Sequence, residues 1–374
     1  MHIQYYGETS LSALQQALAE FSQKASVNSL FLLACDQNAW SKAALDPVLA
    51  EVTLPMVGGI FPQVVDQTQA YETGFVLVGL EDDILPVLIE GLDDNQADFE
   101  AQLDQAIEED VPFSSMVVFV DGLSSRISNF VDSLFALFGS EVSYIGGGAG
   151  SLSFESRPCV LTNQGVFANA AVLGLTHNYF PIEVGHGWRA FDSGHVVTEV
   201  EKNRVLEIDY KNALSVYQSI IGDQLLEGPH LTPDNFFTQA QSFPLGIKRA
   251  DGLHVVRDPI AIDEQGALIC VGELSKGDHI DILTADPQEL IDSAGQIAQT
   301  VKTADPTPPS GVMLIDCISR ALFLKDAFGQ ELDAVGQTFG AQVPLFGALV
   351  LGEIANSGTG YLEFYNKTSV IARF

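Results

Sequence analysis

The chain has 374 residues, of which 47% are hydrophobic and 18% are charged, so it can bury the cores of two domains of moderate size. The formal net charge is −32, from 17 Lys and Arg against 49 Asp and Glu. A surface this negative repels the phosphates of nucleic acids and of anionic lipid leaflets. We therefore expect neither nucleic acid nor membrane as a partner.

Cysteine usage and the lack of targeting signals favour a cytoplasmic location. The cysteines are Cys35, Cys159, Cys270 and Cys317, which lie far apart without any Cys-x-x-Cys motif. This spacing argues against a metal cage, and a chain this long and apolar does not need a disulfide framework. The N-terminus has no basic segment followed by an apolar one, and no run of about 18 apolar residues occurs.

Three segments share one plan, in which an apolar strand ends in an acid or a cysteine and a helix leads to a second strand and a glycine. They span residues 29–59, 116–150 and 312–347. Short apolar runs bounded by turn residues are typical of strands that are buried on both faces. Strand, helix and strand with short connections predict β-α-β units with parallel pairing. A Ser-Arg pair follows the first strand in two of these units, which favours internal duplication over chance similarity.

The residues between these units are predicted to form further strands and helices. Hairpins are expected over 158–176 and 184–209, and more strands over 254–284. Helices are expected over 213–221 and 287–302. The predicted fold is a mixed α/β one, with two packed subdomains built from repeated β-α-β units and largely buried sheets.

Several short motifs together carry a resemblance to a known family. They are Val343-Pro344-Leu345-Phe346-Gly347, Gly352-Glu353-Ile354, Tyr365-Asn366-Lys367-Thr368, Asp316-Cys317-Ile318-Ser319-Arg320, Asp121-Gly122-Leu123, Gly146-Gly147-Gly148-Ala149, Gly185-His186-Gly187-Trp188 and Val197-Thr198. Over nearly its whole length the chain resembles the FIST family, whose members carry an N-terminal and a C-terminal FIST domain. A weak change of composition near Tyr210–Ala213 sets the domain boundary. We therefore expect an N-terminal segment over 1–27, a FIST N-like domain over 28–212 and a FIST C-like domain over 213–374.

One departure from the family pattern concerns the N-terminal half. After Pro55-Met56-Val57-Gly58, many relatives continue with a Gly-Glu-Ile step, whereas this chain continues with Gly59-Ile60-Phe61. A second site that mirrors Glu353 is therefore not expected.

The resemblance implies bacterial sensory signalling, with amino acids as the usual suggested ligands. Some relatives bind haem and report nitric oxide to a partner histidine kinase, as in two-component signalling, and others are fused to kinase, chemoreceptor or cyclase domains. This sequence shows no such output domain, so we expect a separate partner to read its state. The sequence contains no recognisable set of catalytic residues, so an enzyme acting through Cys317 or Asp121 is the less favoured alternative.

The candidate ligand site is predicted at the carboxyl ends of the repeated strands, where α/β sheets bind ligands. Arg320 offers a planar fork for a carboxylate, and Glu353 can hold an ammonium group, a pairing that suits an amino acid. The alternative is an internal salt bridge between Arg320 and Glu353 that only braces the strands.

Other residues complete the candidate set. They are Cys317, Asp121, Gly122, Gly147, Gly148 and Asn366. Cys317 is either a reactive thiolate beside Arg320 or a buried apolar cysteine. The glycine run is a weak phosphate loop because no Lys-Ser/Thr follows it. No metal site is expected because no histidines are spaced for one; if haem is bound, the candidate axial ligands are His177 and His186.

Overall fold

The computed structural model describes residues 1–108, 111–225, 230–249, 254–356 and 360–374. In these residues the strands are, in chain order, β1 (His2–Tyr6), β2 (Ser29–Cys35), β3 (Met56–Phe61), β4 (Gln63–Asp66), β5 (Gln69–Tyr71), β6 (Phe75–Leu80), β7 (Leu85–Glu90), β8 (Ser115–Asp121), β9 (Ser143–Ala149), β10 (Val160–Thr162), β11 (Gly165–Phe167), β12 (Ala170–Thr176), β13 (Ile182–Gly185), β14 (Arg189–Glu201), β15 (Arg204–Ile208), β16 (Lys211–Asn212), β17 (Leu245–Lys248), β18 (His254–Ile262), β19 (Leu268–Val271), β20 (His279–Thr284), β21 (Val312–Cys317), β22 (Leu345–Val350), β23 (Glu353–Ala355), β24 (Glu363–Tyr365) and β25 (Ser369–Arg373). The helices are α1 (Leu11–Ser22), α2 (Lys42–Ala50), α3 (Phe99–Ala106), α4 (Ile127–Phe138), α5 (Ala213–Ile221), α6 (Phe236–Ala240), α7 (Pro287–Ala304), α8 (Ile318–Leu324) and α9 (Phe328–Phe339).

Three modules repeat one order of elements, namely an edge strand, a helix, a strand, one or two helices, a strand, a hairpin and a returning strand. The first module runs from β1 to β6 and the second from β7 to β12. The third starts at β13 and, after an insertion, continues from α7 to β25. The central pairs β2–β3, β8–β9 and β21–β22 are parallel. This confirms the mixed α/β class and the three predicted β-α-β units.

Each module lends its hairpin to the sheet of another module. The first module adds β4 to β22 of the third, the second adds β10 to β3 of the first, and the third adds β23 to β9 of the second. Three six-stranded sheets result, each with the same strand order around its parallel pair. Because the exchange is cyclic, no module completes its sheet from its own residues.

The sheets enclose one core on their inner faces and carry helices on their outer faces. In β21, Met313 and Ile315 belong to the inner core, whereas Val312 and Leu314 pack in the outer layer with α7 and α9. This is the alternation that a strand imposes on successive side chains. It sends Asp316 towards the helices and Cys317 towards the opposite face.

A separate barrel is inserted between β13 and α7. Each of β14, β20, β17, β18, β19 and β15 pairs with two of the others, which closes a ring of six strands. Its interior is apolar and is covered by α5 and α6. The predicted division at residue 212 stays a prediction; it falls inside this insertion, and two of the three core sheets combine strands from both sides of it.

No helix in the described part of the chain is long and apolar enough to cross a membrane.

Candidate functional site

A cavity of about 540 Å³ lies where the second module, the third module and the barrel meet. Its walls come from the loop between β8 and α4, from β18, β19 and the turn after β14, and from the start of α8 and the residues that flank β23 and β24. This volume lies within the range of small-molecule sites, roughly 300–1,000 Å³.

Asp258 is the buried charged residue that the barrel contributes to the cavity wall. It lies where β18 changes partner, because residues up to Arg257 pair with β17 and residues from Asp258 onward pair with β19. The next residue is Pro259, which has no N–H, and the register shifts between Pro259 and Ala261. Such an irregularity re-aims a side chain away from the regular pleat. The strand therefore delivers a carboxylate to the cavity.

The two oxygens of Asp258 have different surroundings. Its side chain is almost fully buried, and its Oδ2 lies 3.1 Å from the ammonium nitrogen of Lys367. Its Oδ1 has no hydrogen-bond partner among the described residues. Burial raises the pKa of Asp258, and the adjacent Lys367 opposes that rise by favouring the charged form. The hydroxyl of Ser319 also lies beside this carboxyl group and favours its charged form. Oδ1 is the oxygen for which the described residues supply no hydrogen bond.

Two further buried polar atoms on the cavity wall lack partners. They are Oδ1 of Asn366 and Oγ of Ser124, neither of which has a hydrogen bond within the described segments. A buried polar atom without a partner costs about 1–3 kcal/mol, so native proteins rarely keep several of them together. Their convergence with Asp258 on one cavity indicates a site that a hydrogen-bonding molecule completes.

The remaining wall and the mouth of the cavity are largely apolar. Leu123, Ile260 and Leu351 contribute to the wall. Around the opening, Leu152, Phe154, Phe237 and Leu322 are 37% to 55% exposed. The cavity therefore combines a few polar groups with apolar surroundings, which is the usual character of a small-molecule site.

Arg320 belongs to a sealed ionic network. Its Nη2 lies 2.6 Å from Glu331 Oε2, and its Nε lies 3.2 Å from Asp316 Oδ1. Its remaining N–H groups donate to the backbone carbonyls of His186, Leu290 and Lys367. All three charged side chains of this network are fully buried. With its donors already engaged, Arg320 has none left for a ligand carboxylate.

Glu353 is also buried and also lies outside the lining formed by the described residues. Its Oε2 accepts a hydrogen bond of 3.1 Å from the Thr368 amide. Burial raises the pKa of Glu353 well above its usual range, and the nearby Asp316 raises it further. Arg320 and Glu353 therefore do not face one ligand site, which corrects the expectation that they bind an amino acid together. The alternative, a salt bridge between the two, is also not found among the described residues, because Arg320 pairs with Asp316 and Glu331.

Three of the remaining predicted residues do line the cavity, namely Cys317, Gly122 and Asn366. Burial raises the pKa of Cys317 to about 12, and the neighbouring Glu353 adds to this rise. Cys317 is therefore a neutral thiol at physiological pH, as the buried-cysteine alternative proposes, and the expectation of a reactive thiolate is not supported.

Asp121, Gly147 and Gly148 have structural positions beside the cavity. Asp121 accepts hydrogen bonds from the amides of Leu123 and Asn169, at 3.2 and 2.7 Å, and so closes the turns around the end of β8. Gly148 donates to the Gly352 carbonyl at 2.8 Å. A Cβ on Gly147 would lie 2.6 Å from the same carbonyl oxygen. These glycines allow two strands to approach closely, and they do not form part of the described cavity lining.

The two histidines proposed for haem do not fit a haem at this site. His177 is exposed beyond β12, and neither histidine is among the described lining residues. The Nδ1 of His186 accepts a hydrogen bond of 2.9 Å from the Trp188 amide. Burial and the Arg320 charge lower the pKa of His186 to about 4. The described residues also contain no cluster of three or more His, Cys, Asp or Glu side chains placed for a metal ion.

Asp258 and Lys367 were not among the predicted site residues. Their signal in the sequence was the pair Arg257-Asp258 within an otherwise apolar strand, followed by Pro259. Charged residues followed by a proline are also typical of a loop. Only the folded barrel shows that these residues belong to a strand whose carboxylate lies in the cavity wall.

The fold and the cavity define a class, namely a mixed α/β protein with a cavity of small-molecule size between structural units. Sequence profiles extend this to a family: the FIST N domain matches residues 14–211 and the FIST C domain matches residues 213–356. The chain belongs to the FIST family, whose domains are sensory domains of signal-transduction proteins that bind small ligands. A search of curated proteins found no match to the chain.

Proposed function

We propose that this protein is a cytoplasmic receptor that binds an amino-acid-like molecule in the cavity and passes the signal to a separate partner. The observation that carries the proposal is the convergence of three unpaired buried polar atoms, on Asp258, Asn366 and Ser124, on one cavity of about 540 Å³. A ligand with hydrogen-bonding groups at one end and an apolar remainder complements this wall.

The position of the cavity supports a signalling role. Three structural units contribute to its wall, so a ligand that contacts all of them changes how stably they pack together. The link is direct at Asp258, whose Lys367 partner belongs to the third module while Asp258 belongs to the barrel. A ligand that prefers one arrangement of barrel and core shifts the population towards it.

The partner in this proposal is a signalling protein such as a histidine kinase, a chemoreceptor or a cyclase. It reads the arrangement of barrel and core, and no catalytic step is assigned to this chain. The sensory character of FIST domains supports this assignment.

The test is a thermal-stability screen of the purified protein with the common amino acids. A ligand at about 100 times its Kd stabilises a protein by about 2.7 kcal/mol, so binding produces a clear rise in Tm. The variant Leu322→Trp places a large side chain at the cavity mouth and is expected to abolish that rise.

The matched control is Leu137→Trp, which adds the same side chain at an exposed leucine of α4 that is outside the described lining. It is expected to respond as the wild type does. A rise in Tm that Leu322→Trp retains in full places the ligand elsewhere and contradicts the proposal.

A further inference from the structure

We infer that the recognised ligand is a primary amine with an apolar or aromatic group, held by Asp258 through its ammonium and by the mouth of the cavity through its apolar part. This inference rests on the proposed function and specifies its ligand. It replaces carboxylate recognition by Arg320 with ammonium recognition by a barrel residue.

The first step concerns the free oxygen of Asp258. Lys367 lies against the other oxygen, and its Nζ also lies 3.1 Å from the Gln241 carbonyl oxygen and 5.3 Å from the Trp188 ring. Lys367 and the Ser319 hydroxyl favour the charged form of this carboxyl, yet Oδ1 has no hydrogen-bond partner among the described residues. A buried carboxylate oxygen is best satisfied by a cationic donor, since charge-assisted hydrogen bonds are the stronger ones. A ligand ammonium supplies such a donor.

The second step concerns the number of acceptors. An ammonium group has three N–H donors, and the wall offers three oxygens that lack partners in the described structure, on Asp258, Asn366 and Ser124. A carboxylate has no donors and leaves the Asp258 oxygen unpaired. The cavity wall therefore carries as many unpartnered oxygens as an ammonium group has N–H donors.

The third step concerns charge. Among the described lining residues, Lys202 carries the only basic side chain, and it is exposed in the turn after β14. The buried Arg257 directs its guanidinium to the carbonyls of Glu273 and Phe364 at 2.8 Å. With a net charge of −32 on the whole chain, the field at the cavity attracts cations and disfavours anionic ligands.

The fourth step concerns the mouth. Phe154 and Phe237, with Leu152 and Leu322, expose apolar surface around the opening. An apolar group attached to the ammonium buries this surface on binding, at roughly 25 cal/mol for each Å² removed from water. A small hydrophilic amine lacks this contribution.

The experiment uses four probes that share one aromatic group, measured by calorimetry with the full chain. They are 2-phenylethylamine, phenylalanine, 3-phenylpropanoate and 2-phenylethanol. We expect the two amines to bind, and the carboxylate and the alcohol to bind at least about tenfold more weakly. Tighter binding of 3-phenylpropanoate than of 2-phenylethylamine overturns the inference, and so does a lack of binding by both amines.

Variants locate the interaction. Asp258→Asn is expected to weaken 2-phenylethylamine roughly 10- to 100-fold, the effect of one charged hydrogen-bonding partner. The matched control is Asp281→Asn, because Asp281 is another buried barrel carboxylate that pairs with a lysine, Lys248 at 3.0 Å, but is outside the described lining. If Asp258→Asn fails to fold, Asn366→Ala removes a second acceptor and is expected to weaken the amine by about tenfold.

The outcome for this inference is separable from that for the proposed function. Equal amine affinity in wild type, Asp258→Asn and Asn366→Ala overturns ammonium recognition. If a ligand without an amine binds, and Leu322→Trp abolishes its binding, the inference fails while the receptor proposal stands. If Leu322→Trp leaves every ligand unaffected, the receptor site itself is wrong.

Discussion

Two regions begin at consecutive residues of one strand and differ in how their charges are satisfied. Asp316 turns outward into the network with Arg320 and Glu331, whereas Cys317 turns towards the cavity that Asp258 also lines. The alternation of side chains along β21 separates the two regions. Two neighbouring residues of one strand therefore have different roles: Asp316 joins the ionic network that stabilises the fold, and Cys317 lines the cavity.

The comparison shows that burial of charge does not by itself mark a binding site. Arg320 is fully buried, and all of its nitrogens have acceptors within the protein. Asp258 is equally buried, but its Oδ1 has no hydrogen-bond partner in the described structure. Asp316 Oδ2 and Glu353 Oε1 also lack hydrogen-bond partners among the described residues, but neither residue lines the cavity. An unpartnered buried oxygen on a residue of the cavity wall, rather than charge or burial, distinguishes the candidate site.

The largest expected effect is on the sealed network. Arg320→Met leaves Asp316 and Glu331 buried without their cation, so we expect the free energy of unfolding to fall by about 3–5 kcal/mol, as measured by urea denaturation. The control is Arg157→Ala, since Arg157 and its partner Glu155 are 62% and 64% exposed and contribute little. A stability of Arg320→Met equal to that of the wild type means that the network does not brace the fold.

The next effect is a pH dependence of stability that arises from Glu353. Its folded pKa is raised by burial, so the folded state holds a proton that the unfolded state releases. Its contribution to stability is present below the ordinary carboxyl range and is lost as the pH rises through the folded pKa, by at most about 1.4 kcal/mol for each pH unit. The side chain of Glu353→Gln stays neutral at every pH. At pH values above the ordinary carboxyl range, the free energy of unfolding of this variant, measured by urea denaturation, should therefore depend less on pH than that of the wild type. An unchanged slope contradicts this assignment.

A smaller effect sharpens the account of the cavity. Burial raises the pKa of Asp258, so acidification neutralises it at a higher pH than an exposed aspartate. The affinity for 2-phenylethylamine should therefore fall as the pH drops towards that pKa, while the ligand stays protonated. Calorimetry across the acidic range measures this fall, and Asp258→Asn should not show it. An affinity that rises on acidification excludes ammonium binding by this carboxylate.

The smallest expected effect concerns Cys317. Because its thiol is neutral, with a pKa raised to about 12, it has no nucleophilic role in this account. Cys317→Ala should lower stability by about 1 kcal/mol, the typical cost of a small buried truncation, and should leave ligand affinity within about threefold of the wild type. Loss of all ligand response in a folded Cys317→Ala protein would show that the thiol takes part in binding.

The local elements of the fold were predictable, and their partners were not. Apolar runs and helical spacing predict the β-α-β units correctly because they depend on residues close in sequence. The cyclic exchange of hairpins depends on pairs such as Phe346 with Asp66, which no local pattern encodes. The closure of the barrel depends in the same way on β14 pairing with both β15 and β20.

The candidate site was predicted only in part, because local sequence patterns identify residue types but not their long-range partners. Cys317 and Gly122 were identified at strand ends and Asn366 in a family motif, and all three line the cavity. Arg320 has the right chemistry for a ligand, but Glu331 reaches it from α9 and satisfies it. Whether a buried charge is paired depends on packing between helices and sheets, so the residue type alone does not separate a brace from a binding group.

The most direct test is a crystal structure of the protein with the ligand that copurifies with it or that the thermal screen identifies. The account predicts density in the cavity, with a donor of the ligand within hydrogen-bond distance of the free Asp258 oxygen. Density for the ligand against Arg320, or anywhere outside the cavity, contradicts it.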